Sequence, residues 1–280
     1  MKNFKIFLRL GIPGGLNYTR VINAEVSRHW GTYINAMKII EYTVIIPAYN
    51  EEELLADTLK ALKEAMMTVS SHGEILVVDN NSTDKTAEIA RRFEAGVIFE
   101  KINQISRARN AGAKHARGFY FLFLDADTLI SADLLQTALQ NLKNKQCSGG
   151  GSTVIPDKKI KPFYQRGMNI WNWFSVRSKI AAGSFIYCLR DGFEDVGGFS
   201  EKVYASEEIW FSLNYKRWGK KRGLGFKIID TAPVITSTRK FDWYSSQRII
   251  LMLFLIVLCP FIIRSRSLCN LWYYRPGIHR

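Results

Sequence analysis

Apolar and polar positions along this chain follow two periods, one suited to strands and one to helices. Thr43–Pro47 is a short apolar, β-branched run and predicts a buried strand. Glu51–Met67 places Leu54, Leu55, Leu59, Leu62 and Met66 at helical spacing. Ile75–Val78 predicts a second strand, after which Ser82-Thr83-Asp84 caps a helix running to about Phe93. Val97–Phe99 predicts a short third strand and Ser106–Arg117 a helix rich in Ala and Arg. Phe119–Leu124 is wholly apolar and predicts a central strand, and Ser131 opens a helix ending near Lys145. Strands alternating with helices imply a mostly parallel sheet covered on both faces. Past Cys147 the pattern turns irregular, with Gly149-Gly150-Gly151 and aromatic clusters. Longer loops are expected there, forming the second half of one domain.

The two ends read differently. Residues 1–40 have weak periodicity, interrupted by Gly11, Pro13, Gly14 and Gly15. Either translation starts at Met37, or this stretch is a short amphipathic membrane-surface segment. Ile249–Ile263 is a run of 15 uncharged, almost purely apolar residues between Arg248 and the pair Arg264 and Arg266. A full span needs about 17–25 residues, and Pro260 kinks a helix. An interfacial or re-entrant anchor fits best, with the arginines on anionic headgroups. A single span, or a buried core or dimer helix, is the alternative.

Composition sharpens this picture at one point. A chain of 280 residues with 47% hydrophobic and 23% charged positions is ordinary for one sizeable core. The net charge of +14 is not ordinary, and Asn214–Arg280 alone holds thirteen Lys or Arg against two Asp, or +11. A basic terminal block favours a membrane surface, phosphate or nucleic acid, although a solvated basic face is the plain alternative. Cysteines 147, 188, 259 and 269 lack metal-ligand spacing, and no secretory signal is visible, so reduced thiols and a cytoplasmic site are expected. No G-x-G-x-x-G follows the first strand and no G-x-x-x-x-G-K-[ST] occurs. Dinucleotide oxidoreductases and P-loop NTPases are thereby disfavoured.

The chemistry lies in four motifs: Y-T-V-I-I-P-A-Y-N-E-E from Tyr42, I-L-V-V-D-N-N-S-T-D-K-T from Ile75, S-R-A-R-N-A-G from Ser106 and F-L-F-L-D-A-D ending at Asp127. Three are strands running directly into polar residues. Ligands of open α/β sheets bind at the carboxyl ends of strands, so Tyr49, Asp79, Asp125 and Asp127 are expected along one rim. The turn after a strand end lets Asp125 and Asp127 converge, and their hard oxygens suit Mg²⁺ or Mn²⁺. Such a metal would stabilise charge on a leaving diphosphate.

In this order and spacing the motifs resemble family 2 glycosyltransferases of the GT-A fold, over roughly Tyr42–Arg239. The resemblance implies an α/β fold with a mostly parallel, Rossmann-like sheet flanked by helices. It divides the chain into an N-terminal extension (1–40), a catalytic domain (41–240) and a basic, apolar membrane-associating tail (241–280). Within the domain, 41–130 is the nucleotide-sugar half and 131–240 the acceptor half. The family pattern puts Asp125 near the ribose and Asp127 on the metal. It has Asp79 accept a hydrogen bond from a uracil-type ring, and Pro47 and Tyr49 line the nucleotide, Tyr49 by stacking. Glu51 or Glu52 faces the ribose or base pocket. Of the two arginines, A-R-N-x-G selects Arg109 for the nucleotide and leaves Arg107 a structural role; Asp84 reads as a helix cap.

The family's general base stands in an E-D-x-[DE]-L-like segment. Here that stretch is Ser206-Glu207-Glu208-Ile209-Trp210-Phe211, so the expected base is Glu208, one methylene longer than the usual Asp, with Glu207 as the rival. Gly183 lets backbone approach the donor sugar, and Gly197-Gly198-Phe199 reads as a turn with an aromatic plug. Arg239, or Lys240, is expected either to close over the diphosphate or to belong to a basic membrane-facing rim. Trp171, Trp173 and Phe174 read first as core, with sugar stacking as the alternative. Absence of Q-x-x-R-W and of multiple spans argues against a processive synthase.

The implied protein is an inverting, metal-dependent enzyme at the inner face of the cell membrane. It takes a nucleotide-diphosphate sugar, UDP-sugar first, to a glycan or lipid-linked acceptor in envelope polysaccharide or lipopolysaccharide assembly. A polyprenyl-phosphate acceptor is the close variant, and a degenerate donor-binding scaffold the non-enzyme alternative. Nucleic-acid binding rests on charge alone and is not expected.

Overall fold

The computed structural model describes residues 39–145, 147–245, 247, 260–269 and 273. The chain divides into Met1–Ile39 and Ile40–Arg280. The first unit, apart from Ile39, lies outside the described residues, as do the Met37 reading and most of the 249–263 run.

The elements in chain order are β1 (Tyr42–Ala48), α1 (Leu55–Thr68), β2 (Gly73–Asp79), α2 (Thr86–Arg92), β3 (Gly96–Phe99), α3 (Ile105–His115), β4 (Tyr120–Leu124), β5 (Thr128–Leu129) and α4 (Ala132–Lys143). There follow β6 (Cys147–Pro156), α5 (Pro162–Ser178), β7 (Phe185–Leu189), α6 (Arg190–Asp195), α7 (Glu207–Lys220), β8 (Gly225–Thr236) and α8 (Lys240–Trp243). One sheet of eight strands has the order β3-β2-β1-β4-β7-β6-β8-β5. Strands β3, β2, β1 and β4 pair in parallel, β7 is antiparallel to both β4 and β6, and β8 is parallel to β6.

Strand alternation sends side chains to two cores. Val44, Ile46 and Val77 face one side with Leu55, Leu59 and Leu62 of α1 and Leu134 and Leu135 of α4. Ile45 and Val78 face the other with Ala108 of α3 and the rings of Phe121, Phe123, Phe193, Phe199, Phe211 and Tyr215. Covering both faces explains why β1 and β4 read as near-continuous apolar runs.

Three sequence expectations need correction. Helix α1 starts at Leu55, not Glu51, because the preceding backbone is drawn to the β2–α2 loop. Glu51 N–H donates to Thr86 Oγ1 (2.8 Å) and Glu52 N–H to an Asp84 carboxylate oxygen (3.0 Å). Asp84 also accepts from Thr86 N–H at the head of α2, so it ties down the start of that helix and joins two loops at once, although the N-cap position itself is Lys85. The glycine-rich stretch is not a loop but lies inside the ten-residue strand β6. A Cβ on Gly150 would stand 1.7 Å from the Lys227 carbonyl oxygen, so the glycines allow β6 to fit tightly between its neighbours. Trp173 and Phe174 are not core: they are 68% and 42% exposed on α5, while Trp171 packs inward.

The aromatic plug is present. Gly197 and Gly198 turn with positive φ, and Phe199 is buried against Phe123, Phe193 and Phe211. Near the C-terminus, Ile263 and Cys269 are buried against Val203 and Ala205, and Tyr204 N–H donates to the Ile263 carbonyl (2.6 Å). This part of the expected tail packs on the loop that leads into α7. Cys147, Cys188 and Cys269 are buried free thiols.

Candidate active site

The carboxyl ends of β1, β2 and β4 form one rim. Ala48 is in register with Asp79, so Tyr49 and the β2 terminus are neighbours. Tyr49 is half-buried, and Pro47 is buried within β1 opposite Val78. Asp79 is 8% exposed and accepts a hydrogen bond from Ser82 N–H (2.9 Å). Asn50, in the left-handed region at φ 54°, accepts from Thr83 N–H and donates through its own N–H to Ser82 Oγ. These bonds fix the shape of the first two loops.

Strand β7 runs against β4, so its beginning reaches the rim where the parallel strands end. Asp125 N–H donates to the Ser184 carbonyl (3.1 Å). Gly183, one residue earlier, is the third partner in a buried network. Arg109 of α3, only 1% exposed, donates through Nη1 to Glu207 (2.6 Å) and through Nη2 to Asp125 (3.0 Å) and the Gly183 carbonyl (2.8 Å). Its guanidinium stacks over Phe199 at 5.1 Å. A Cβ at Gly183 would lie 3.5 Å from Arg109 and 3.7 Å from the Glu208 carboxyl carbon. Arg109, selected from sequence for the nucleotide, therefore holds protein carboxylates. Arg107 pairs with Glu201 (2.7 Å) and Glu100 (3.4 Å).

One arginine cannot balance three nearby carboxylates. Burial, then the Glu207 charge, push Glu208 up to about 8, with Asp125 adding to the shift and Arg109 opposing it. Burial opposes the Arg109 charge, but Asp125, Glu207 and Glu208 together hold its pKa above the ordinary value. Glu207 is engaged by Arg109; Glu208 is half-buried and retains high proton affinity.

A second basic centre sits beside Asp127. The two-residue strand β5 pairs with the end of β8, Thr128 with Thr236, and Ser237 N–H donates to the Asp127 carbonyl. This brings Arg239 in. Its Nη2 contacts the Glu51 carboxylate and lies 3.3 Å from Asp127 Oδ2. Its Nε and Nη1 are buried without a hydrogen-bond partner, and the guanidinium faces Trp243 at 5.2 Å. Glu52, by contrast, is exposed and accepts from Lys85 N–H in the adjoining loop (3.1 Å). The sequence selected Arg239 but offered no sign of its Glu51 partner, 188 positions away.

These observations meet known proteins at the family level. The sequence profile of glycosyl transferase family 2 matches residues 43–197, more than half the chain. The chain belongs to glycosyl transferase family 2. Glycosyltransferase AglE of Haloferax volcanii is 41% identical over 185 residues, covering 60% of this chain and 58% of that protein. The chain spans less of three further curated relatives, 27%, 34% and 38% of their lengths. Among solved structures, Staphylococcus aureus TarS in complex with UDP-GlcNAc has a TM-score of 0.57 at 18% identity, covering 77% of this chain and 67% of that one. The mannosyltransferase PcManGT of Pyrobaculum calidifontis, in complex with GDP-Man and Mn²⁺, has a TM-score of 0.58 at 22% identity, covering 86% and 72%. These likenesses establish the GT-A fold that the motifs implied.

A divalent metal can be tested against this rim. Among the described residues no cluster of three His, Cys, Asp or Glu is placed to hold one. An Mg²⁺-type ion needs only one or two carboxylates, because substrate phosphate and water complete its shell. Asp127 and Asp125 supply two, each of them shared with an arginine, Arg239 and Arg109. The donor set fits.

Proposed function

We propose that this family member is an inverting, metal-dependent glycosyltransferase. It moves a sugar from a nucleotide-diphosphate donor, UDP-sugar foremost, to a glycan or lipid-linked acceptor in cell-envelope assembly at the membrane's inner face. The observation that carries the reading is Arg239: a buried guanidinium with two nitrogens lacking acceptors, next to the D-A-D turn. Leaving buried donors unsatisfied is costly, and a diphosphate is the ligand that would satisfy them.

Tyr49 and Pro47 would flank the base, and Asp79 would accept its ring N–H. Asp125, fixed by Arg109, would face the ribose. Asp127, with Asp125, would hold Mg²⁺ or Mn²⁺, which when bound supplies charge stabilisation for the leaving diphosphate. Arg239 would turn from Glu51 and Asp127 to the phosphate oxygens. Glu208 takes the proton of the acceptor hydroxyl as that oxygen bonds to the anomeric carbon, and the carbon–oxygen bond to the diphosphate breaks on the opposite face. A carboxyl with a pKa near neutrality suits this task. Glu207 holds Arg109 in place, and Gly183 leaves room beside Glu208 for the donor sugar.

Asp127→Ala tests the assignment. Transfer from a nucleotide sugar should be abolished with the fold intact, and turnover retained by a folded variant would contradict it. Glu208→Gln tests the acceptor class. Loss of rate indicates a hydroxyl acceptor, whereas a near-normal rate indicates a polyprenyl phosphate, already an anion.

A further inference from the structure

Helix α5 is apolar on two opposite sides. Tyr164, Met168, Trp171 and Ser175 turn inward, and Asn172 bonds the Val154 backbone from the same side. Phe163, Ile170 and Phe174, spaced by seven and four residues, form a second stripe with Trp173 beside it. These four are 57%, 66%, 42% and 68% exposed. A helix with one buried face normally carries polar residues opposite, so this outer stripe serves some contact other than the core.

Charge identifies the contact. From Lys158 to Lys179 there are six Lys or Arg (158, 159, 161, 166, 177 and 179) and no Asp or Glu, and all six are exposed. Five of them bracket the stripe at its two ends, and Arg166 lies between Phe163 and Ile170. Beside its N-terminal end opens a recess of about 550 Å³ lined by Lys158, Lys159, Lys161, Tyr164, Phe241 and Trp243. The acidic residue in its wall, Asp242, is paired with Lys158 at 2.6 Å.

We propose that α5, with this recess, is a docking surface for an anionic lipid bilayer. The helix lies in the interface plane, with Phe163, Ile170, Trp173 and Phe174 among the acyl chains and the lysines and arginines on headgroup phosphates. Trp and Phe flanked by Lys and Arg are the composition of interfacial helices, and long basic side chains keep their charge at the headgroups while their stems lie on apolar surface. A second copy of the chain is a poorer occupant, since a two-fold contact would set the patch against itself and oppose six cations to six. No helix among the described residues is long and apolar enough to cross a membrane. The proposal uses none of residues 249–263 and does not depend on the transferase reading.

The test is sedimentation of the full chain with phosphatidylcholine vesicles, with and without phosphatidylglycerol, beside a Phe163→Ser/Ile170→Ser/Trp173→Ser/Phe174→Ser variant. These side chains are exposed, so the variant should keep its circular dichroism and melting temperature. Binding should favour anionic vesicles, weaken with salt, and fall about tenfold or more in the variant. Brominated acyl chains should quench wild-type tryptophan emission, and most of that quenching should vanish in Trp173→Phe. Equal binding by wild type and the quadruple variant would overturn the proposal, as would quenching unaffected by Trp173→Phe. A wild-type dimer that the quadruple variant dissolves would overturn it in favour of self-association.

Discussion

Two arginines hold the two aspartates of the D-A-D turn, and they are built for different ends. Arg109 is buried on a helix, and both its terminal nitrogens are used, on Glu207, Asp125 and the Gly183 carbonyl. Arg239 follows β8, uses one nitrogen for Glu51 and Asp127, and keeps two without acceptors. Each lies over an aromatic ring, Phe199 or Trp243. The first uses both terminal nitrogens and leaves only Nε without an acceptor; the second leaves two of its three nitrogens without one, and under the proposed function a ligand takes them. Residue type and charge partners alone do not separate them; the terminal nitrogens do, both being bonded in Arg109 and one in Arg239.

The largest effect should come from breaking the Arg109 network. Arg109→Met strands Asp125, Glu207 and Glu208 as mutually repelling, partly buried carboxylates. Loss of one partner from a buried ion pair costs about 3–5 kcal/mol, which a urea titration would detect. A cost below about 1 kcal/mol would erase the distinction between the two arginines.

Beside that network, Glu208→Gln should lower kcat/KM about 10²–10⁴-fold for a hydroxyl acceptor. Wild-type kcat/KM should rise with pH through about 8, the value to which Glu208 is pushed, because the base acts only when deprotonated. The variant should lack that limb. Arg239→Ala should cost less, about 10–100-fold in kcat/KM, in line with loss of hydrogen bonds to a charged group, and lower the melting temperature less than Arg109→Met, since Arg239 is 12% exposed against 1% for Arg109.

The smallest expected effect is on stability. Glu208 has a folded pKa above its unfolded value. Its contribution is therefore fully present below the unfolded pKa and is lost as pH rises through about 8. Glu208→Gln should melt a few degrees above wild type at pH 9 and level with it near pH 4. A gap that does not change with pH would remove the titration from the account.

Much of the rim was legible because its chemistry is local. Asp79, Asp125 and Asp127 each follow an apolar strand, and strand ends define a rim without knowledge of anything distant. The misread parts depend on long-range contacts. The start of α1 is set by Asp84 and Thr86, more than thirty positions away. The glycines of β6 looked like a loop because the tight fit they permit is with Lys227 and Tyr187, on strands not yet in the sequence window. Trp173 and Phe174 looked like core because apolar spacing cannot say which of two faces meets protein. Glu51 and Arg239 meet only because β5 and β8 pair.

The central claim is that the Arg239–Asp127 rim is a donor site awaiting a nucleotide diphosphate and metal. The most direct measurement is a thermal-shift panel on the full chain with UDP-, GDP- and TDP-sugars, each with and without Mn²⁺, repeated on Asp127→Ala. The account predicts a rise for one nucleotide, UDP first, that requires both Mn²⁺ and Asp127. A flat panel on well-folded wild type, or the same rise in Asp127→Ala, would contradict it.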